Sequence, residues 1–463
     1  MIDPARDAWL DQLERTAATY FLHEVDADTG LVRDNGQDGA PATIAGTGFA
    51  LTTYAVAAER GYLAREDAAE RARRALRFLW DAPQGEDGDD TMGAHGFFYH
   101  FLDMKSGRRV WHCEVSTIDS TILFAGALAA AAYFDRDTRV EHEIRQTADA
   151  LYRRADWGWA LDHGPLVSLG WRPERGFLHY RWKGYSEALL LYVLGLGSPT
   201  HALAPGCYAD WCKGYRWKTL YGYELVYAGP LFIHQLSHGW IDFRGIRDAY
   251  MAERDSDYFE NSRRATYVQR EYAVRNPRHF LGYTADCWGI TASDGPGPAT
   301  RVIDGKRRRF WHYRARGVPS GPDDGTLSPW AVVASLPFAP EIVVPSVEAI
   351  QRQHPELQRG YGFACSFNPT FRDAGDAASG WVSPTHYAIN QGPVVLMVEN
   401  FRSELIWRLM RGCRYIVDGL RRAGFSGGWL EDANVYHASR SSGGQRERND
   451  RPDEVRDHRG VDP

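Results

Sequence analysis

Three carboxylates stand where polar sequence gives way to apolar runs, and these side chains are well suited to acid and base chemistry. Glu114 and Asp119 precede the Ala/Leu-rich run 122–133, and Glu187 precedes the run 188–196. Runs of this length and composition predict buried helices. Hydrolysis of a glycosidic bond requires one carboxyl group that protonates the leaving oxygen and another that activates water or attacks directly. We therefore predict Glu114, Asp119 and Glu187 as catalytic residues.

A structural role for the same acids is the alternative interpretation. Ser116 or Thr117 is the expected N-cap, and the Ser-x-x-Asp spacing fits a capping box in which Asp119 only satisfies a free backbone N–H. Glu187 follows Ser186 and fits a similar position. The functional interpretation is favoured because the same mixture of aromatic, small and hydrogen-bonding residues recurs before apolar helices. We expect these segments to line one cleft: 43–48, 111–119, 180–187, 223–238 and 387–393.

The position of an acid at a helix start also affects its charge. A helix N-terminus stabilises a carboxylate in its charged form, which suits a base. An acid at the same place needs desolvation or a like-charged neighbour to raise its pKa. The sequence leaves open which of the three acids takes which role.

Aromatic residues form 13% of the chain, and many stand beside glycine, histidine, arginine or aspartate rather than inside apolar runs. Aromatic rings stack on the apolar faces of sugars, while neighbouring polar groups bind the hydroxyls. Each candidate has an alternative role as a core residue or as a hydrogen-bond partner within a loop. The predicted substrate-binding residues are Tyr99, His100, Asp103, Trp111, Trp171, Tyr180, Trp182, Tyr185, Glu224, His234, His238, Asp242, Trp288, Asp294, Asn390 and Gln391.

Neither the histidines nor the cysteines have the spacing of a metal site. His234 and His238 lie four residues apart in a helix predicted over 229–242, but no acid stands between them as in the HExxH motif. Sugar binding or core packing is therefore favoured over metal binding. We predict no metal, no cofactor and free, mostly buried thiols, because no CxxC pair occurs among Cys113, Cys207, Cys212, Cys287, Cys365 and Cys413.

Charge and hydropathy exclude several classes of partner. The net charge is −6, with acids and bases interspersed, which argues against a nucleic-acid or anionic-membrane surface. The apolar runs are shorter than a membrane span, and the N-terminus does not have the pattern of a signal peptide. We expect a cytoplasmic protein, or a periplasmic one if a signal has been removed. An oligo- or polysaccharide is the expected partner, with no nucleic acid, membrane or protein partner.

The hydrophobic pattern predicts an all-α fold. Roughly twelve helices follow one another, and apolar helices alternate with charged, amphipathic ones. Six buried helices surrounded by six outer helices form an (α/α)6 barrel, whereas a stacked helical repeat would need a fixed sequence period that is not seen. One short β-hairpin is predicted at 302–314, around Asp304-Gly305. We predict a single domain at 1–425 and a polar, disordered tail at 426–463.

Several segments resemble the bacterial glycoamylase (glucoamylase-like) domain family over about residues 5–425. They include IAGTGFALT, GFFYHFLDMKSGRR, CEVSTIDS, YSEALLLYVLGLGSPTH, GPLFIHQLSHGWIDFRG, DYFENSRRAT and INQGPVVLMVENFRS. The resemblance implies an (α/α)6 glycoside hydrolase similar to endo-β-1,2-glucanases, to sophorose-releasing enzymes and to the cyclising domain of cyclic β-1,2-glucan synthases. It implies inverting chemistry with essential acids at Glu187 and in the segment of Glu114 and Asp119. One departure is Asn390, where relatives often have aspartate.

Together these features predict an inverting hydrolase of β-1,2-glucan or of sophoro-oligosaccharides. Two alternatives remain open from the sequence. One is a hydrolase or transglycosylase of another glucan, including an α-glucan. The other is a non-catalytic carbohydrate-binding protein, which would retain the aromatic cleft without placing two acids across a scissile bond.

Overall fold

The protein is represented by a computed structural model that describes residues 3–88, 90–373 and 375–431. Helices dominate these ranges, and short 3-10 turns occur at Trp159–Leu161, Leu231–His234, Leu236–Gly239 and Pro355–Leu357. The α-helices are α1 (Pro4–His23), α2 (Ile44–Glu59), α3 (Arg65–Asp81), α4 (Thr117–Tyr133), α5 (Arg139–Arg154), α6 (Ala188–Gly197), α7 (Gly206–Cys212), α8 (Ala249–Ala252), α9 (Tyr258–Arg275), α10 (Pro329–Val333), α11 (Pro340–Gln353), α12 (Ala388–Ser403), α13 (Leu405–Arg411) and α14 (Arg414–Arg422).

The apolar helices lie inside and the amphipathic ones lie outside, as the hydrophobic pattern predicts. Helices α2, α4, α6 and α12 are buried on all sides over most of their length, while α3 and α5 bury one stripe. Helices α2 and α4 pack closely, and a Cβ atom on Gly126 would overlap the carbonyl oxygen of Gly48. Glycine at both positions lets the two backbones approach without side chains between them.

The strand content differs from the prediction of one hairpin. A hairpin is present at the predicted turn, with Asp304 and Gly305 both at positive φ, but its strands are β11 (Ala299–Ile303) and β12 (Lys306–Phe310), which begin and end earlier than the predicted 302–314. The described residues contain six further small sheets, whose strands are mostly two or three residues long. The strands are β1 (Ala42–Thr43), β2 (Gly93–Ala94), β3 (Phe97–Tyr99), β4 (Phe101–Leu102), β5 (Val115–Ser116), β6 (Gly170–Arg172), β7 (Gly176–Phe177), β8 (Trp217–Leu220), β9 (Tyr223–Val226), β10 (Ala292–Ser293), β11 (Ala299–Ile303), β12 (Lys306–Phe310), β13 (Arg314–Ala315), β14 (Gln358–Arg359), β15 (Gly362–Phe363), β16 (Phe367–Asn368) and β17 (Trp381–Val382).

One sheet positions the loops before α4. Its order is β2-β3-β5-β6-β7, and Phe98 of β3 pairs with Ser116 of β5. On the other side of β5, Val115 pairs with Trp171 of β6. All these pairs are antiparallel, so three segments distant in sequence are fixed side by side at the mouth of α4.

The helix predicted over 229–242 is wrong. This segment forms two 3-10 turns, Leu231–His234 and Leu236–Gly239. Hydrogen bonds to other segments hold this irregular backbone. The Phe232 N–H donates to the Thr291 hydroxyl, and the Gln235 side chain donates to the backbone oxygen of Ala331. Burial therefore explains the apolar content here without a regular helix.

The packed chain continues past the predicted domain boundary at residue 425. Leu430 is buried, and the indole of Trp429 donates a hydrogen bond to the backbone oxygen of Asp242. The rest of the predicted tail, 432–463, lies outside the described residues. Within the described ranges, no helix combines the length and the apolarity that a membrane span requires.

Candidate active site

A cavity of about 570 Å³ lies at the starts of α4, α6 and α12, where the sequence predicted a common cleft. Aromatic and aliphatic side chains form most of its wall, and a few polar groups converge on it, which is typical of a small-molecule site. The polar and aromatic residues that matter for its chemistry are Asp34, His100, Asp119, Glu187, Tyr313, Tyr387 and Asn390.

Asp119 is held at the first turn of α4 by its own N-cap. The Ser116 hydroxyl accepts a hydrogen bond from the Asp119 backbone N–H at 3.2 Å and donates one to the Asp119 carboxylate. The side chain is largely buried yet lines the cavity. Asp119 therefore takes part in the helix cap and also lines the cavity, and the cap holds its carboxylate in a fixed position.

Glu187 faces the same cavity from the residue before α6. Burial raises the pKa of its carboxyl group to about 7, and the negative charge of Asp119 adds to this rise against an opposing backbone hydrogen bond. The backbone around it is fixed by Ser237, whose hydroxyl donates to the Glu187 carbonyl oxygen at 3.1 Å and accepts from Leu190 N–H. Glu187 can therefore keep a proton close to neutral pH.

His100 connects the acids of the 114–119 segment. Its Nδ1 lies 3.0 Å from Glu114, and its Nε2 lies 3.7 Å from Asp119. Burial alone would lower the pKa of His100, but the charges of Asp119, Glu114 and Asp34 outweigh it and raise the pKa to about 9. His100 is therefore a cation at neutral pH, and it lines the cavity.

Glu114, which we predicted as catalytic, contacts His100 and Arg172 instead of the cavity. Pairing of β3 with β5 places it there, since His100 N–H donates to the Glu114 backbone oxygen at 2.9 Å. The hydrogen bond from His100 is the main reason that the Glu114 pKa falls to about 2, with help from Arg172 at 3.3 Å. A carboxylate this strongly acidic is unsuited to proton transfer, and it fixes the charge and orientation of His100.

Asp34 and Tyr313 line the cavity but were not predicted from the sequence. Asp34 lies in a polar loop before β1, and burial raises the pKa of its carboxyl group despite a hydrogen bond from Asn35. Tyr313 follows β12, and its ring lies 5.9 Å from the ring of Tyr387. The only available signal for Asp34 was an acid shortly before the predicted 43–48 segment, and Tyr313 had none.

Asn390 and Gln391 were both predicted to bind substrate, but they line different cavities. Asn390 lines the cavity, and its amide nitrogen donates to the Cys365 sulfur at 2.9 Å. Its Oδ1 atom is buried and has no hydrogen-bond partner among the described residues. Gln391, one residue further along α12, lines a different cavity.

The two histidines of the 223–238 segment are core residues. His234 contacts the Ala228 backbone and Asn261, and His238 contacts the Ser262 hydroxyl. Burial lowers the pKa of His234 to about 4 and that of His238 to about 3, so both are neutral. In the part of the chain that is described, no group of three or more His, Cys, Asp or Glu side chains is arranged to hold a metal ion.

The other predicted acids do not line the cavity, because each has a structural partner or lies elsewhere. Asp242 pairs with Arg244 and Arg411, and Asp103 accepts hydrogen bonds within a tight turn. Glu224 is exposed in the β8–β9 hairpin, and Asp294 accepts a hydrogen bond from Ser383.

The remaining aromatic candidates also lie outside the cavity wall, where they pack the long loops or face solvent. Trp288 and Trp182 donate to Ser346 and Thr117, Trp171 packs on Trp159, Tyr185 stacks on Tyr258, and Tyr99 lies under Arg109. Tyr180 is exposed, and Trp111 is exposed beside Phe101, which does line the cavity. Aromatic content alone thus did not separate core residues from residues that line the cavity.

This chain is similar to a family of known proteins. The family model described as “Putative glucoamylase” (glycoamylase) matches residues 179–414. The crystal structure of a “putative glucoamylase” from Bacteroides uniformis ATCC 8492 is 30% identical with a TM-score of 0.80, covering 93% of this chain and 100% of that chain. An endo-β-1,2-glucanase from Chitinophaga pinensis, in complex with sophorotriose and glucose, is 26% identical with a TM-score of 0.76, covering 91% and 99% respectively.

A named relative gives a further similarity. An exo β-1,2-glucooligosaccharide sophorohydrolase acting at the non-reducing end, from Parabacteroides distasonis, is 27% identical over 89% of this chain. The chain spans 57% of the length of that relative. The similarity therefore concerns somewhat more than half of that protein.

Proposed function

Because this chain belongs to the glycoamylase family, we propose that it is a glycoside hydrolase that cleaves β-1,2-glucan or sophoro-oligosaccharides. The observation that carries this proposal is that Asp119 and Glu187 share one cavity and that no described arginine or lysine pairs with either. The relatives named as a β-1,2-glucanase and a sophorohydrolase support the choice of linkage.

In the proposed mechanism Glu187 is the general acid. A pKa of about 7 keeps the carboxyl group largely protonated up to neutral pH, so it can donate to the oxygen of the leaving sugar. The negative charge of Asp119 assists by opposing ionisation of Glu187. Proton donation makes the departing sugar a neutral alcohol, which lowers the barrier to bond cleavage.

Asp119 is the general base. The Ser116 hydroxyl donates a hydrogen bond to its carboxylate, which lies at the start of α4 and 3.7 Å from His100. We propose that it activates water on the face of the sugar opposite Glu187, which inverts the anomeric carbon. Inverting pairs stand roughly 6.5–9.5 Å apart to admit that water, whereas retaining pairs are about 5 Å apart.

We also propose that the fold is an (α/α)6 barrel with the cavity at one end. The buried helices α2, α4, α6 and α12 would belong to the inner ring, and α3 and α5 to the outer ring. The starts of α4, α6 and α12 meet at the cavity, which supports parallel inner helices.

Product chromatography after incubation with linear β-1,2-glucan tests this function. Wild type should release sophorose or sophoro-oligosaccharides, while Glu187→Gln and Asp119→Asn should each release at least about a hundredfold less in the same time. Glu224→Gln is the matched control, because it makes the same kind of change on an exposed hairpin. Parallel reactions with a β-1,3-glucan and with starch separate the linkage from the chemistry, and cleavage of only these would overturn the proposed substrate.

The stereochemistry has its own measurement. Proton NMR during the first turnovers identifies the anomer released from the β-linked substrate, and α-configured product is expected. Initial release of the β-anomer would replace the inverting mechanism with a retaining one, and would leave the substrate assignment intact.

A further inference from the structure

A second cavity of about 260 Å³ lies next to the catalytic one, between α1, α10, α11, α12 and the β14–β15 hairpin. Trp330 of α10 lines both cavities. On α12, Asn390 lines the catalytic cavity and its neighbour Gln391 lines the second one. Asp119 and Glu187 do not reach the second cavity, so it is a separate compartment behind a shared wall.

The lining of the second cavity combines aromatic rings with neutral hydrogen-bonding groups. Its polar side chains are Thr16 and four glutamines, Gln12, Gln351, Gln358 and Gln391. Its rings are those of Trp9, Trp330, Tyr361 and Phe363. None of its lining residues carries a charge. Carboxamides both donate and accept hydrogen bonds, and rings stack on the apolar faces of sugars.

A buried polar group in this wall has no protein partner among the described residues. It is the indole N–H of Trp330. Buried polar groups are nearly always hydrogen-bonded, so this N–H needs a ligand or a water molecule to accept from it. The side chain of Gln391 belongs to the same wall and is 2% exposed. In contrast, Trp9 is already fixed, because its indole donates to Gln351 at 3.0 Å.

We propose that the second cavity binds one ring of a neutral sugar. Its volume is just below the range of about 300–1,000 Å³ of ligand pockets for drug-sized molecules, which fits a single monosaccharide. The amides would bind the hydroxyls, and the rings would cover one face of the sugar. The absence of a charged lining residue disfavours sugar phosphates and uronates. This binding is independent of the proposed hydrolysis, because no catalytic carboxylate takes part in it.

Equilibrium dialysis with radiolabelled glucose tests the proposal by counting bound sugars. Thr16→Phe should fill the second cavity from α1. Thr19→Phe is a matched control, since Thr19 lies on the same helix outside the cavity and makes the same bond to the backbone four residues earlier. Wild type and Thr19→Phe should each bind one more glucose per chain than Thr16→Phe. Glucose 6-phosphate should not compete for that additional site.

A gentler variant keeps the test valid if Thr16→Phe fails to fold. Gln12 and Gln358 are exposed at the rim, so Gln12→Leu/Gln358→Leu should fold normally and weaken the additional site roughly tenfold through lost hydrogen bonds. Equal glucose stoichiometry in all variants would assign every bound sugar to other sites and overturn the proposal. Absence of glucose binding, or competition by glucose 6-phosphate, would do the same.

Discussion

Among the described regions that bury carboxylates, two differ sharply in the partners that they give to these acids. The first is the catalytic cavity. The second, which we call the arginine cluster, joins α1 to α12 through Glu14, Glu399, Arg60 and Arg402. In the arginine cluster each glutamate touches a guanidinium, with Arg402 at 2.6 Å from Glu14 and Arg60 at 2.6 Å from Glu399. In the cavity, no described arginine or lysine pairs with Asp119 or Glu187.

The comparison shows that a raised pKa does not by itself identify a functional acid. Burial, together with the charge of Glu399, raises the pKa of Glu14 well above its usual range. Burial also raises the pKa of Glu187 to about 7. The two differ in access and in partner, because Glu14 is fully buried beside arginine while Glu187 faces a cavity. An accessible acid without a cation can exchange its proton with a substrate.

The largest expected effect follows from removing either cavity acid. Asp119→Asn and Glu187→Gln should each lower kcat by about 10²–10⁴-fold, the usual contribution of a general acid or base. The Glu187→Gln variant should not melt below wild type at neutral pH, because no described arginine or lysine pairs with Glu187. Steady-state kinetics on sophoro-oligosaccharides, with melting curves of the same preparations, provides the measurement. A variant with near wild-type kcat would remove that residue from the mechanism.

In the arginine cluster, a substitution should lower the stability of the fold. Arg402→Met removes the guanidinium that pairs with Glu14, Asp7 and Asp11, and removing one partner of a buried ion pair typically costs about 3–5 kcal/mol of unfolding free energy. Protonation of Glu14 should reduce that cost at low pH. Urea unfolding gives the free energy, and Glu14→Gln/Arg402→Met is the control that should recover part of it. Unchanged stability in the single variant would show that the cluster is not an essential ion pair.

A smaller effect on activity is expected at Glu114, which shares features of the catalytic cavity and of the arginine cluster. This residue is paired with a cation like the arginine-cluster acids, but the cation is His100 of the cavity wall. Glu114→Gln should lower the pKa of His100 from about 9, because one of the charges that raise it is lost. We expect roughly a tenfold loss of kcat/KM from poorer positioning. NMR titration of His100 with kinetics measures both.

Two further variants separate positioning by Glu114 from general disturbance of the loop. Glu114→Asp keeps the negative charge and should restore most of the His100 pKa. Glu174→Gln removes an exposed carboxylate that pairs with Arg109 in the same region, and activity should be retained. An unchanged His100 titration in Glu114→Gln would refute the positioning role.

The sequence predicted the features that depend on local pattern. Helices α2, α4, α6 and α12 follow from apolar runs, and Asp119 and Glu187 were found because both stand where such a run begins. The features that depend on distant contacts were not predictable. Strands of two or three residues show no alternation, so the pairing that brings Glu114 to His100 leaves no periodic signal.

The same reason explains why several predicted binding residues lie outside the cavity. Asp242 resembles a cleft acid in sequence, and only the fold shows that Arg244 and Arg411 surround it. Asp34 resembles a loop acid, and only the fold brings it beside the charges of His100 and Asp119. A carboxylate and its partner can lie anywhere along the chain, so sequence spacing cannot distinguish a paired acid from a free one.

The smallest effect is a pH-dependent change of stability at Glu187. Its folded-state pKa of about 7 lies above its ordinary value of 4.5. Folding therefore favours the protonated form, and wild type loses stability as pH rises from about 4.5 to about 7. Glutamine cannot ionise, so Glu187→Gln should melt a few degrees above wild type at pH 8, while the two melting temperatures should coincide near pH 4.

Asp119 contributes to the raised pKa of Glu187. The gain in melting temperature that Glu187→Gln gives should therefore be smaller when it is added to Asp119→Asn than when it is added to wild type. Equal melting temperatures of Glu187→Gln and wild type at both pH values would mean that the fold does not disfavour ionised Glu187, and the proposed proton donor would lose its physical basis.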